Sequence, residues 1–297
     1  MNYSRTHIEE IVREVLREVE QEEHLVEKNI RKDAIPGDFV NFVGRGMKKL
    51  ASSWGTMKRQ IDQELEFPAS ADAMREATPA RIFVGRRGTR YKTKVYLDFQ
   101  ASHAAAKDAV LGEVPKELVQ KLNLLELHTL ADTKEKFIAD PGLGRHLNEE
   151  SKKILVNDCQ PNVRLQILVI DGLSSTAIEK NMTEMLGLLN DAAKHLGITV
   201  PRGIFVRHGR VAVINEIGEI LKPEVALAFV GERPGLVTAE SMGAYLTYRP
   251  GMNTTEAERC LVSNIHRDGT VVGGAAEKIA ALLVKIYAQK KSGVALE

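Results

Sequence analysis

Two short runs, Leu165–Ile170 (LQILVI) and Val225–Val230 (VALAFV), constrain this chain more than any other feature. Each is almost wholly apolar, which suits a strand buried on both faces and not one that alternates between core and water. Each runs into a glycine-bearing turn, Asp171-Gly172-Leu173-Ser174 after the first and Gly231-Glu232-Arg233-Pro234-Gly235 after the second. A strand buried on both faces needs helices on both sides of its sheet, and Ala177–Leu196 supplies a long helical pattern that stops at Gly197. The expected fold is therefore α/β, Rossmann-like, with a mostly parallel sheet flanked by helices and a helical N-terminal arm.

The remaining patterns extend the same rhythm. Strands are predicted at Val95–Phe99, Phe205–Val206 and Val211–Ile214. Helices are predicted at Ala104–Leu111, Leu118–Leu127, Glu149–Val156, from about Ala239, and at Ala275–Gln289. Ahead of them, Ile8, Ile11, Val12, Val15, Leu16 and Val19 fall on one helix face, with Thr6 and Glu9 spaced as a capping box. An amphipathic helix is thus expected over about 6–20. Residues 1–30 carry eight Glu against four Arg or Lys, so this arm is acidic. Ile35-Pro36-Gly37-Asp38 reads as a turn, a weaker helical pattern runs from Met47 to Leu65, and Phe67-Pro68-Ala69-Ser70 marks the end of the arm. The expected division is residues 1–73 as arm and 74–297 as α/β core.

Composition excludes some partners. Among 297 residues, 41 Lys and Arg face 40 Asp and Glu, so a net charge of +1 provides no field selecting nucleic acid. The longest stretch free of polar side chains is Val225–Gly231, far below the ~20 residues of a membrane span. The opening MNYSRTHIEEIV has no continuous apolar stretch of a secretory signal, and two cysteines, Cys159 and Cys260, form no C-x-x-C pair. A cytoplasmic protein with no nucleic-acid or membrane partner is expected.

Chemistry should gather at the two strand-end turns, because open α/β sheets bind ligands outside the carboxyl ends of their strands. Glycines allow close approach to the backbone, and Asp171 and Glu232 can accept hydrogen bonds from amides or hydroxyls. Ser174 alternatively serves only as a helix cap. The run Arg81–Lys94 holds Arg81, Arg86, Arg87, Arg90, Lys92 and Lys94 with no acid. It could serve a phosphate or nucleic acid, with Tyr91 and Tyr96 to stack on bases, but such runs more often form a solvated face or a protein contact. The eight histidines form neither H-E-x-x-H nor a Cys/His cluster, so no metal ligands are assigned. His208 and His266 sit in polar surroundings that fit structural hydrogen bonding, and Cys260 has no evident base beside it. Walker A, G-x-G-x-x-G and G-x-S-x-G are absent. No catalytic residue is assigned; the chain offers binding turns.

Several strings nevertheless agree in order and spacing with one family: Thr78-Pro79-Ala80-Arg81-Ile82, Gly85-Arg86, HAAAKDAV (103–110), Asp171-Gly172-Leu173-Ser174, FVRHGRV (205–211), IGEIL (217–221), GERPGL (231–236) and SNIH (263–266). Together they resemble the small (light) subunit of ethanolamine ammonia-lyase, from about Thr78 to the C-terminus. The resemblance implies an adenosylcobalamin-dependent radical lyase that converts ethanolamine to acetaldehyde and ammonia, in ethanolamine degradation. It implies a large barrel subunit carrying the substrate site, with the small subunit closing over the cobalamin. Carried onto this sequence, the family's cobalamin contacts fall on Val211, on Glu232 and on Leu261. The last stands where the family often has Cys. No histidine has Asp two places before it and Gly three after, so the cobalamin is expected base-on, without a protein histidine on cobalt. The basic run would then contact the large subunit or cofactor amides. Related enzymes reside in bacterial microcompartments, which makes the N-terminal helix a candidate address to the shell; equally, Ile8–Val19 could pack on its own core or on the partner subunit. The competing expectation is a Rossmann-like nucleotide- or cofactor-binding module with no enzyme attached.

Overall fold

The computed structural model describes residues 69–296. The expected helix at 6–20, the turn at Ile35 and the pattern at Met47–Leu65 lie outside the described residues. The chain divides after Gly85. Of the first unit, the described elements comprise helix α1, Ala69–Glu76. The second unit opens with a short antiparallel pair, β1 (Arg86–Arg87) and β2 (Arg90–Tyr91). Helices α2 (Thr93–Leu111) and α3 (Lys116–Lys121) come next.

A six-stranded sheet then carries the unit: β3 (Leu125–His128), β4 (Leu165–Ile170), β5 (Ile204–Arg207), β6 (Val225–Gly231), β7 (Met242–Tyr248) and β8 (Arg259–Ile265). Its spatial order is β3-β5-β4-β6-β7-β8. The first four strands are parallel neighbours, whereas β7 and β8 add antiparallel. Helices α4 (Lys134–Ala139) and α5 (Glu149–Asp158) fill the β3–β4 connection, α6 (Ser175–His195) links β4 to β5, α7 (Val213–Leu221) links β5 to β6, and α8 (Val272–Gln289) closes the chain.

The two apolar runs of the sequence are the two central strands, and every residue of both is buried. Their alternation sorts them between two cores. Leu165, Ile167 and Val169 with Val225, Leu227 and Phe229 meet α6 and α8 on one face. Leu168 and Ile170 with Ala226, Ala228 and Val230 meet α5 and α7 on the other. Each such leucine or phenylalanine contributes roughly 1.5–3 kcal/mol by leaving water, which makes the trio β5-β4-β6 a rigid floor.

Four expectations are corrected. Val95–Phe99 is helical, part of α2, and most of that helix's apolar side chains lie exposed, so no burial pattern marked it. Leu118–Leu127 is not one helix: α3 stops at Lys121, Asn123 turns the chain at φ 52°, and β3 begins at Leu125. Val211–Ile214 is not a strand but the approach to and first turn of α7. The segment after Ala239 is strand β7, not a helix. Strand β8 was not anticipated, because Arg259–Ile265 mixes buried and exposed positions without strict alternation. The broader expectation of a mixed α/β fold, with a mostly parallel sheet between helices, holds.

Candidate functional site

Strand β4 continues to β5 on one side, and β5 continues through α7 to β6 on the other side of β4. The connections therefore diverge at the carboxyl ends of β5, β4 and β6, leaving a crevice above the sheet. In register, Ile170 sits beside Val206 on one flank and Val230 on the other, so the three strands end together. A cavity of about 280 Å³ opens there, lined by residues that come after all three strands: Gly172 and Leu173 after β4, Gly209, Arg210 and Val211 after β5, and Val230, Gly231, Glu232 and Arg233 at β6. Tyr245 of β7 completes the lining.

Backbone contacts draw the walls tight. The Leu173 N–H donates to the Gly231 carbonyl at 3.0 Å, and the Asp171 N–H to that of Val206 at 3.1 Å. A methyl group at Gly231 would run into the Ser174 carbonyl oxygen, and one at Gly172 would reach the Gly231 carbonyl at 2.5 Å. Gly172 also holds φ 64°, the left-handed region that a side chain disfavours. These two glycines let the turns after β4 and β6 lie against one another. Ser174 caps α6 by accepting the Ala177 N–H at 3.1 Å, and its hydroxyl donates to the Ala239 carbonyl at 2.5 Å, tying the loop after β6 to the same turn.

Of the three expected contact positions, the structure brings Val211 and Glu232 to this cavity. Leu261 is outside its lining but is the register partner of the lining residue Tyr245. Directly opposed strand residues project to the same face, so the half-exposed Leu261 extends that wall as an apolar surface. Glu232 is held in place: its carboxylate accepts the Ser241 hydroxyl at 2.5 Å and the Asn264 N–H at 3.4 Å. The loop 232–241 joins two strands, so the expectation that this turn opens a helix is corrected. A helix N-terminus stands behind the turn after β4 (Ser175) and the loop after β5 (Val213), but not behind Glu232.

Beneath the cavity lies a cluster of charge that sequence patterns missed. Asp171 is fully buried, and neither carboxylate oxygen has a hydrogen-bond partner. Burial pushes its carboxyl above the usual carboxylate range, opposed by Lys134, whose ammonium lies 3.8 Å away. Lys134 is itself buried, which pulls its amine below the ordinary lysine value, and it donates to the Gly172 carbonyl at 3.0 Å. Arg207 reaches Glu126 at 2.6 Å. The ring nitrogens of His208 lie 3.0 Å from the Ala131 carbonyl and 3.0 Å from Glu113. That arrangement agrees with the structural reading of His208. His266 is likewise engaged, 2.9 Å from Asn264 and accepting the Asp268 N–H. Nothing in the TKEKF string around Lys134 distinguishes it from a solvated helix face. Tyr245 carried no signal either, since it falls in a segment read as helix.

A family model of the ethanolamine ammonia-lyase light chain matches residues 68–297. Among curated proteins, the chain is 42% identical over 233 residues to the ethanolamine ammonia-lyase small subunit of Clostridioides difficile, covering 77% of this chain and 80% of that protein. It is 41% identical over 223 residues to the small subunit of Clostridium acetobutylicum, covering 75% of this chain and 92% of that one. The small subunit of Listeria monocytogenes is 40% identical over 242 residues, covering 80% of this chain and 83% of that protein.

Proposed function

Because the chain belongs to the ethanolamine ammonia-lyase light-chain family, the small subunit of a two-subunit ammonia-lyase, we propose that it closes an adenosylcobalamin site against a large catalytic subunit in the conversion of ethanolamine to acetaldehyde and ammonia. The observation that carries the reading is the convergence of Val211 and Glu232 on one cavity at the carboxyl ends of β5, β4 and β6. The strand order supports a Rossmann-like description of that crevice, with β4 central and its crossovers diverging to both sides.

The residues fit such a cofactor in kind and in size. Drug-sized ligands occupy pockets of roughly 300–1,000 Å³, and cobalamin is larger still. A cavity of about 280 Å³ thus takes one edge or arm of it and leaves the rest to a partner surface. The Glu232 carboxylate is an acceptor for an amide or hydroxyl of the cofactor, Val211 offers its backbone or an apolar contact, and Leu261 offers an apolar one. When bound, the cofactor would supply radical chemistry through its cobalt–carbon bond. The chain's own part is to bind, orient and shield it. The turn after β4, stapled to Gly231 and Lys134, fixes one wall, and Ser241 and Asn264 aim the acceptor from the other.

The partner surface is assigned to the basic run. Arg86, Arg87, Arg90 and Lys94 are all exposed, and Arg86 lies 4.7 Å from the face of the Tyr91 ring. Reversing Arg86 and Arg87 to Glu together should weaken assembly with the large subunit at low ionic strength, read by size exclusion of the co-purified chains; unchanged assembly removes this assignment. The acidic arm is assigned to microcompartment targeting. Deleting residues 1–20 should abolish encapsulation while leaving activity intact, whereas loss of activity with encapsulation retained would make the segment part of the enzyme's own packing.

The experiment for the function itself is co-expression with a large-subunit candidate and measurement of ammonia release from ethanolamine. Release should require both chains and adenosylcobalamin. A soluble lone chain that binds nucleotide and has no effect on turnover would instead support the stand-alone binding module.

A further inference from the structure

Within the charged loops around the cavity, the half-buried and buried cations have oxygen partners, with one exception. Lys134 has the Gly172 carbonyl, Arg207 has Glu126, and His208 has Glu113. Arg210 lines the cavity with a half-buried guanidinium, and among the described residues no carboxylate or carbonyl meets it. Its guanidinium lies over the face of Phe137, 5.3 Å away, a ring that Lys134 also approaches at 5.4 Å. Burial and the like charge of Arg145 both act against the Arg210 cation. The planar fork therefore faces the cavity with its donors not engaged by the protein, a geometry that suits a carboxylate or phosphate oxyanion.

A second feature fixes the main chain from which that side chain springs. The Arg210 N–H donates to the Gly144 carbonyl at 2.7 Å, and its carbonyl accepts the Val213 N–H at 3.0 Å. Gly209 before it packs so closely on β4 that a methyl group there would lie 2.7 Å from Ile170. The backbone under Arg210 is thus fixed from both sides, so the loop itself need not be ordered when a ligand binds. We infer that Arg210 forms an anion subsite for a phosphodiester, on the wall opposite Glu232. This inference rests on the cofactor reading, and it assigns the subsite to the one anionic group of cobalamin, the phosphodiester of its nucleotide loop.

The geometry keeps the two polar functions apart. Arg210 comes after β5 and Glu232 after β6, with β4 between them, so their loops stand two strand spacings or roughly 10 Å apart. The Glu232 carboxylate is turned toward Ser241 and Asn264. The cavity therefore presents an acceptor on one side for an amide or hydroxyl and a bidentate donor on the other for an oxyanion.

The test uses the assembled two-subunit complex and two probes. Cyanocobalamin carries the phosphodiester, whereas dicyanocobinamide has the same corrin ring and amide arms but no nucleotide loop. Arg210→Met should raise the Kd for cyanocobalamin roughly 10- to 100-fold and leave that for dicyanocobinamide within about twofold. Arg210→Lys, which keeps the charge but loses the fork, should fall between. It preserves the comparison if the methionine variant does not assemble. Equal losses for both probes, or no loss for either, would overturn the anion subsite and leave the cofactor reading standing. A wild-type complex that takes neither probe would sink the cofactor reading and this inference with it.

Discussion

Replacing Lys134 with methionine is expected to destabilise the folded chain by about 3–5 kcal/mol, read by urea unfolding, because removing one partner strands the other charge out of water. Among the described residues no other cation lies within ion-pair distance of Asp171, and burial already raises its pKa. The substitution also removes the donor that holds the Gly172 carbonyl at 3.0 Å, so the wall after β4 should loosen. The loss should depend on pH in a defined direction. Without Lys134 the Asp171 carboxyl binds its proton still more tightly in the folded state than in the unfolded one. The variant's stability should therefore fall as pH rises from the ordinary carboxylate range through the raised folded value. Replacing both residues with apolar ones of similar volume should recover much of the stability, since neither charge is then buried alone. A Lys134→Met protein as stable as wild type, with no added pH dependence, would mean that Asp171 is satisfied without the lysine.

Glu232→Ala is expected to raise the cobalamin concentration needed for half-saturation of the assembled enzyme roughly 10- to 100-fold, the loss of one hydrogen bond to a charged acceptor. Stability should change far less, because Glu232 is only half-buried and its partners, the Ser241 hydroxyl and the Asn264 N–H, lie in a loop and at a strand end. Glu232→Gln keeps the shape and one oxygen, so it should lose less than the alanine variant. Equal affinity in all three proteins, measured by titration with cyanocobalamin, would take Glu232 out of the site. A parallel fall in thermal stability would make it a structural residue of the β6–β7 loop.

The central fold was legible where burial dictated composition. Leu165–Ile170 and Val225–Val230 are flanked by strands and covered by helices on both faces, so almost every residue had to be apolar. The helix after Ser174 was legible because its cap is local and its inward face, from Ala177 to Ala193, repeats at helical spacing. Legibility failed where burial did not shape the sequence. Helix α2 exposes Tyr96, Leu97 and Phe99, so its VYLDF segment mimics a strand. Strand β7 is built from MGAYLTY, in which Gly243 leaves room for the Glu232 carboxylate, 2.8 Å from where a methyl group would lie. Small residues packed at a strand end look like the entry to a helix.

The site was half legible for a related reason. The glycine turns advertised a close approach of backbone to ligand, and both now line the cavity. Lys134 and Tyr245 reach the same place from distant parts of the chain, so only their position in three dimensions reveals them. Arg210 stood in view within FVRHGRV, yet its want of a partner is a property of the folded loops. The connection after β6 was misjudged because GERPG has the residues of a strand-to-helix turn. The chain instead loops back antiparallel as β7, and that loop places Ser241 where it can hold Glu232.

The most direct test of the account is a cyanocobalamin titration of the small subunit alone, the large subunit alone and the two together. If the cavity of about 280 Å³, with Leu261 exposed beside it, is one side of the proposed shared site, tight binding should occur only with both chains present. Equally tight binding by the small subunit alone would contradict the shared site, and no binding by the pair would contradict the cofactor.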